Sequence, residues 1–455
     1  MNKYGLVFLA ALASVSQVAT AQDVSRLGKD LTPSGGERAG NKDGTIPAWE
    51  GAVAPDNWTY GKVRFDSWKY RTDKPLFSID ASNVDKYADK LSPGQVATIK
   101  QIKNYRMDVY PSHRDCGVPD FVADNTKKNV GFAKIDANGW SLKEAWVPGF
   151  PFPFPADGVQ AMWNMKMRYR GAGVHYPHVV TSVSPRKGTT DWIRAAQDFT
   201  AYFPWGLKGS NKLSTLPPIE YDGYFAYTSP PALAGQALVI TYYINQSGSE
   251  TNYYFPGQRR VRRMPSYSYD SPQIGMEDQY TLDEPFVFNG TIDRFDWKIV
   301  GKKEMYVAYN SFGAYNYKAK LEDVEQPDSV NPASRHYELH RVWVLEATVK
   351  KGMRHIAPKR FYYLDEDSWN VMAGEDYDAQ GKLFKYREGY LIPVYETGTC
   401  DVSAFAQYNL TEGRYVFDMD PVGGNADMRW VVVPDGPRFK QDFYTADNLR
   451  AISAR

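Results

Sequence analysis

The chain is poor in the residues that most often carry chemistry, with two cysteines and six histidines among its 455 residues. No Cys and His cluster is dense enough to close a metal shell. His336-x-Glu338-x-His340 comes nearest, because side chains two apart share a strand face, but neighbours on one strand do not close a tetrahedral shell unaided. His175 and His178 flank Pro177, which breaks a helical pair, and His113 reads as a loop residue that satisfies backbone groups. Neither a metal nor a cofactor is expected. Catalytic signatures are missing as well: there is no G-x-S-x-G elbow, and Gly206-Leu207-Lys208-Gly209-Ser210 lacks the spacing of a phosphate-binding loop. Charge of one sign is also lacking, with 54 Lys and Arg against 53 Asp and Glu. No global field therefore draws the protein to nucleic acid or to an anionic membrane. Beyond the first twenty residues or so, no run is apolar enough to span a bilayer.

What is present begins with a targeting segment. Lys3 precedes an apolar stretch from Leu6 to Ala13, and Ala19-Thr20-Ala21 offers a cleavage site. Residues 1–21 are expected to be a signal peptide cut after Ala21, giving an exported, soluble, periplasmic chain, with a place peripheral to the outer membrane as an option. Gln22 stands where a lipid-anchored protein would carry Cys. In an oxidising compartment one bridge between Cys116 and Cys400 is the economical expectation, two separate buried thiols being the alternative.

Aromatic residues make up 15% of the chain, with 33 Tyr and 12 Trp, which suits strands with half-buried faces. Residues 22–115 read as an N-terminal arm wrapping a body formed by residues 116–455. Within the arm, Ser92, Pro93 and Gln95 form a capping box that opens a helix with Val96, Ile99 and Ile102 on one face. A second helix is expected over residues 156–170, approached through Phe150-Pro151-Phe152-Pro153-Phe154-Pro155 and stopped by Gly171. Strands dominate afterwards, at 221–228, 237–245, 251–255, 258–263, 296–300 and 304–308. A β-meander occupies 341–390, and shorter runs follow at 391–397, 414–418 and 428–433. The fold class is mainly β, of α+β type: a large curved antiparallel sheet or incomplete barrel with a few covering helices.

Several meander strands are apolar on both faces and need cover on each side. Trp343, Leu345, Phe361 and Tyr363, with Phe152, Phe154 and Trp163, are the candidate lining of an apolar cavity. The 156–170 helix is the candidate lid. Arg259, Arg260, Arg262 and Arg263 are candidates for an anionic head group, with pairing to Asp293 or Asp296 as the structural alternative. The acidic stretch 277–284 reads as a solvated loop, since nothing singles out a pair of carboxylates for acid and base work.

Several strings together resemble an exported Gram-negative family catalogued as domain of unknown function 1329: residues 27–33, 39–49, 151–153, Trp163-Asn164, 256–263, 296–305 and 361–369. The resemblance implies a body like the half-barrels of the lipoprotein-localisation factors of LolA and LolB type, which serve outer-membrane lipoprotein sorting. It further implies association with a resistance-nodulation-division transporter and an outer-membrane protein, and it offers no catalytic residue. The expected function is a periplasmic carrier of a lipid or other hydrophobic small molecule. An envelope hydrolase or sugar-binding enzyme, and a ligand-free structural subunit of an export complex, are the alternatives.

Overall fold

Fourteen strands join into one antiparallel sheet in a computed structural model that describes residues 23–265 and 267–454. The expected signal peptide and its cleavage site lie outside the described residues. In chain order the strands are β1 (Gly173–Val183), β2 (Ile193–Tyr202), β3 (Ile219–Ser229), β4 (Ala237–Tyr243), β5 (Ser249–Phe255) and β6 (Arg260–Arg263). They continue as β7 (Phe295–Val307), β8 (Glu338–Val349), β9 (Lys359–Asp365), β10 (Val371–Tyr377), β11 (Leu383–Val394), β12 (Thr399–Asn409), β13 (Arg414–Asp420) and β14 (Arg429–Val431). The helices are α1 (Pro93–Gln101), α2 (Asp120–Asn129), α3 (Gly158–Lys166), the single turn α4 (Leu321–Val324) and α5 (Ala446–Ser453).

Sheet order follows chain order in two runs. β1 to β6 make one meander, β7 to β13 make another, and the two join where β1 pairs with β13, while β14 also pairs with β1. The sheet is not closed into a barrel, and its edges are β6 and β7. These two edge strands are consecutive in the chain. The segment between them must therefore cross from one edge of the sheet to the other, and its residues 267–294 cover one face, termed here the inner face.

Register decides which side chains meet that cover, because directly opposed residues of an antiparallel pair share a face. Trp297, Ala347, Arg360 and Asp376 oppose one another in turn across β7 to β10 and point inward with Arg387 and Gln407. Phe361, Glu375, Tyr386 and Tyr408 point outward. The outer face has its own cover. The Gly94 N–H of α1 donates to Glu375, and α5 packs Leu449 over Tyr224, Val239 and Tyr254.

Local signals explain several elements. α1 carries the expected capping box in full, Ser92 accepting from the Gln95 N–H while the Gln95 side chain accepts from Ser92. The runs expected at 296–300 and 304–308 are one strand, β7, with a register shift between Ile299 and Gly301. α3 is shorter than expected: Asp157 caps its start and it ends at Lys166, leaving 167–170 outside the helix. Sequence reading passed over β1, β2 and β12, whose burial on both faces removes polar and apolar alternation, as it did α2 and α5. Cys116 and Cys400 are bridged, tying the chain just before α2 to β12, so the alternative of two separate thiols is set aside.

Candidate functional site

The crossing segment and the β1 to β4 half of the sheet enclose an apolar cavity. Phe225 and Tyr227 of β3 and Leu238, Ile240 and Tyr242 of β4 form one wall, with Tyr267, Tyr280, Leu282, Pro285 and Phe286 of the crossing segment as the opposite wall. Its void is about 40 Å³, room for roughly three waters. Larger depressions of about 740 and 610 Å³ occur elsewhere, but they are open to solvent and lie outside this enclosure. The carboxylate that lines the cavity is Asp418. Burial raises its pKa, against hydrogen bonds donated by the Thr181 and Tyr280 hydroxyls.

Polar groups latch the crossing segment to the other half of the sheet. Asp283 accepts from Arg360 and meets His355 Nε2 at 2.8 Å, while Glu284 accepts from Lys385 Nζ at 2.8 Å. Arg387 Nε donates to the Val287 carbonyl at 3.1 Å. Burial would raise the Asp283 pKa, but Arg360 and then His355 hold it well below the usual carboxylate range. The stretch 277–284 is thus not a solvated acidic loop throughout, since Asp283 and Glu284 are buried ion-pair partners. Backbone strain accompanies the latch. Phe286 and the β-branched Val287 hold left-handed φ of 56° and 70°, a conformation such residues adopt only when the surroundings impose it.

A second chamber, of about 30 Å³, abuts the first and shares Tyr221, Phe286 and Asn289 with it as a common wall. The Tyr221 hydroxyl donates to Asn289 Oδ1 at 2.6 Å, and Asn289 Nδ2 donates to the Tyr242 hydroxyl at 3.0 Å. Here the lining is cationic. Lys166 pairs with Glu220 at 2.7 Å and donates to the Gly290 carbonyl, and Arg168 and Arg170 share Asp401 at 3.4 and 3.0 Å. The Arg170 guanidinium lies 5.1 Å from both the Phe203 and Phe286 rings. Trp430 Nε1 and the Ser403 hydroxyl also donate to Asp401. Burial and then the like charge of Arg170 push the Arg168 guanidinium down to about 10, against the attraction of Asp401. Burial raises the Glu220 pKa, with Lys166 and Arg168 opposing.

The expected lining residues are dispersed. Trp343 and Leu345 face inward beside Leu364 and Tyr362, whereas Phe361 and Tyr363 face outward. The register pairs odd positions of β8 with even positions of β9, so the four do not share a face. Trp163 is buried in the core, its Nε1 donating to the Trp140 carbonyl at 2.6 Å, and Phe152 and Phe154 border a separate pocket of about 110 Å³. None of the seven touches the apolar cavity. The helix expected as a lid is a core helix, with Met162 and Trp163 fully buried, and the cover is instead residues 267–289. Arg259, Arg260, Arg262 and Arg263 are exposed at or beside edge strand β6. Arg263 pairs with Glu250 at 3.2 Å, while Asp293 is taken up by the Tyr269 hydroxyl.

Sequence reading missed Arg168 and Arg170, although a signal existed. Lys166, Arg168 and Arg170 alternate at the end of an apolar helix, which is the pattern of extended chain with one cationic side. Among the described residues, His340, Asp365 and Asp367 bring possible ligand atoms within 4.8 Å of one another. Both Asp367 oxygens already accept from Arg114, His340 Nε2 lies 2.9 Å from Glu338, and His336 Nδ1 lies 2.7 Å from the Tyr309 carbonyl. No helix of the described residues is long and apolar enough to cross a membrane.

The family model described as "Protein of unknown function (DUF1329)" matches residues 78–450. A Pseudomonas aeruginosa protein, "Uncharacterized protein PA3922", is 37% identical over 419 residues, covering 90% of each chain. Among solved structures, a DUF1329 family protein from Desulfovibrio piger is 14% identical, covers 63% of this chain and 98% of its own, and has a TM-score of 0.41. A LolA superfamily protein from Nitrosomonas europaea is 11% identical, covers 64% and 99%, and has a TM-score of 0.35.

Proposed function

The chain belongs to the DUF1329 family, and from that premise we propose that it carries a hydrophobic small molecule, such as a lipid, within the cell envelope. The observation that supports this reading is the enclosure itself. A segment joining the two sheet edges covers an apolar, aromatic-walled cavity in the interior, the kind of site that binds small apolar ligands. In the closed form the void is about 40 Å³, far below the roughly 300 Å³ of a ligand pocket. Loading therefore requires residues 264–294 to lift from the β1 to β4 half. Periplasmic residence after cleavage at Ala21, and service to an envelope transporter with an outer-membrane partner, complete the proposal.

Native mass spectrometry of protein purified from the periplasm without detergent, followed by solvent extraction, tests it. The expected result is a mature chain beginning at Gln22 that carries an extractable apolar adduct. Preparations that are ligand-free and also fail to take up added oleate or oleyl alcohol would overturn the carrier reading.

A further inference from the structure

The two adjoining chambers differ in character, and their common wall is drawn from two separate elements. Tyr221 belongs to β3, but Phe286 and Asn289 belong to the crossing segment. Displacing that segment removes two of the three dividing residues, and the spaces become one slot with an apolar end and a cationic end. The cationic end is not neutralised from within. Three cations, Lys166, Arg168 and Arg170, meet two carboxylates, Glu220 and Asp401. The surplus rests on Arg168. Its residue is 8% exposed, its Nε has no hydrogen-bond partner among the described residues, and its contact with Asp401 is the longer of the two at 3.4 Å. Arg168 Nη1 donates to the Met165 carbonyl at 2.9 Å, so the unmet part of the guanidinium is its Nε and its weak hold on Asp401. A buried charge so incompletely paired is costly, and an incoming anion would satisfy both shortages at once.

We propose, building on the carrier reading, that the cargo is an anionic amphiphile whose carboxylate or phosphate head is held by Arg168 with Lys166 and Arg170, its chain lying in the cavity beyond Tyr221. Arg168 is then the specificity-determining residue. Asp401 keeps Arg170, Trp430 and Ser403 when Arg168 is replaced, so Arg168→Met removes a like-charge conflict without orphaning a carboxylate.

Titration calorimetry on the delipidated mature protein tests this with three single-chain probes: oleate, oleoyl lysophosphatidate and uncharged oleyl alcohol. Wild type is expected to bind at least one anion about tenfold or more tighter than the alcohol. The tighter of the two anions identifies the head as carboxylate or phosphate. Arg168→Met should bring anion and alcohol to within about threefold by loss of anion affinity, and Arg168→Lys should restore part of the preference. The unliganded Arg168→Met protein should melt no lower than wild type, whereas an arginine with a purely structural role would lower the melting temperature. Equal binding of all three probes by wild type would overturn the anionic head while leaving the carrier reading intact. Failure of wild type to bind any of them would remove the carrier reading itself. Should Arg168→Met not fold, the wild-type comparison still decides.

Discussion

At the scale of single residues, this interior relies on buried carboxylates that differ in how they are satisfied. Glu388 accepts hydroxyl donors from Tyr105, Tyr337 and Tyr390 at 2.7 to 2.8 Å, with Arg335 at 3.4 Å. Asp365 is less well supplied: its Oδ2 accepts from Ser368, and its Oδ1 has no partner among the described residues. Burial, and then the nearby Asp367 carboxylate, push Asp365 up to about 8. Between the ordinary carboxylate range near 4 and about 8, the folded protein holds a proton that the unfolded chain has released. Stability linked to this group is therefore full at low pH and lost as pH rises through about 8. Asp222 and Asp427, each raised by burial to about 6, act in the same direction over a lower window. Asp283 and Asp376 are shifted downward, so their contributions are already complete above about pH 4 and do not change across that window. Urea midpoints should fall from pH 6 to pH 9. Asp365→Asn, neutral throughout, should flatten that fall and exceed wild type at pH 9 by about 1 kcal/mol or more. Parallel profiles for the two proteins would show that Asp365 does not titrate in this range.

At the scale of elements, the crossing segment is held by charge and α1 by fit. Asp283→Asn weakens the grip of Arg360 and His355 on residues 264–294 but leaves Arg360 paired with Asp376 at 2.8 Å. A loss of about 2 kcal/mol of local stability corresponds to about 30-fold faster amide exchange. That acceleration should appear in residues 267–290 and not in β8 to β11, and ligand uptake should quicken with it. Exchange that rises uniformly across the sheet would mean that the segment does not open independently. In α1, a Cβ on Gly94 would lie 2.6 Å from Tyr386 Cδ2 and 2.9 Å from Glu375 Cγ. Gly94→Ala should therefore cost about 1 to 3 kcal/mol by overpacking, reversing the gain of about 1 kcal/mol that the same change gives on an exposed helix. Calorimetric melting of the variant checks the sign. These two elements also mark what was legible in the sequence. The Ser92 capping box is a local pattern within four residues and was readable, as were strands with aromatic and β-branched runs. The latch was not, because Asp283 and Glu284 meet partners 77 and 101 residues later in the chain, and in isolation acidic residues among turn formers look solvated. Arg168 and Arg170 were hidden in the same way by their distance from Asp401, 233 and 231 residues on.

At the scale of the whole molecule, the two meanders divide the labour. β1 to β4 wall the apolar cavity, while β9 to β12 supply Arg360, Lys385, Arg387 and Gln407, which grip its cover. Under the proposed carrier function, one half would hold the ligand and the other the gate. The disulfide belongs to the second half, since Cys400 lies on β12, and Cys116 adjoins the Arg114 guanidinium that binds Asp367 just after β9. Bridging residues 284 apart removes conformational freedom from the unfolded chain, and the loop-closure argument assigns this about 6 kcal/mol as an upper figure. The Cys116→Ala, Cys400→Ala double variant should consequently unfold at lower urea, by up to that amount. Neither sulfur borders either chamber, so once folded the variant should retain the wild-type preference between oleate and oleyl alcohol, with faster exchange of ligand as the gripping half loosens. Urea titration and calorimetry on one preparation separate the two effects. A variant that keeps full stability would assign the restraint to the Arg114 ion pair instead, and one that loses head-group preference would tie the binding half to the gripping half far more tightly than the sheet order indicates.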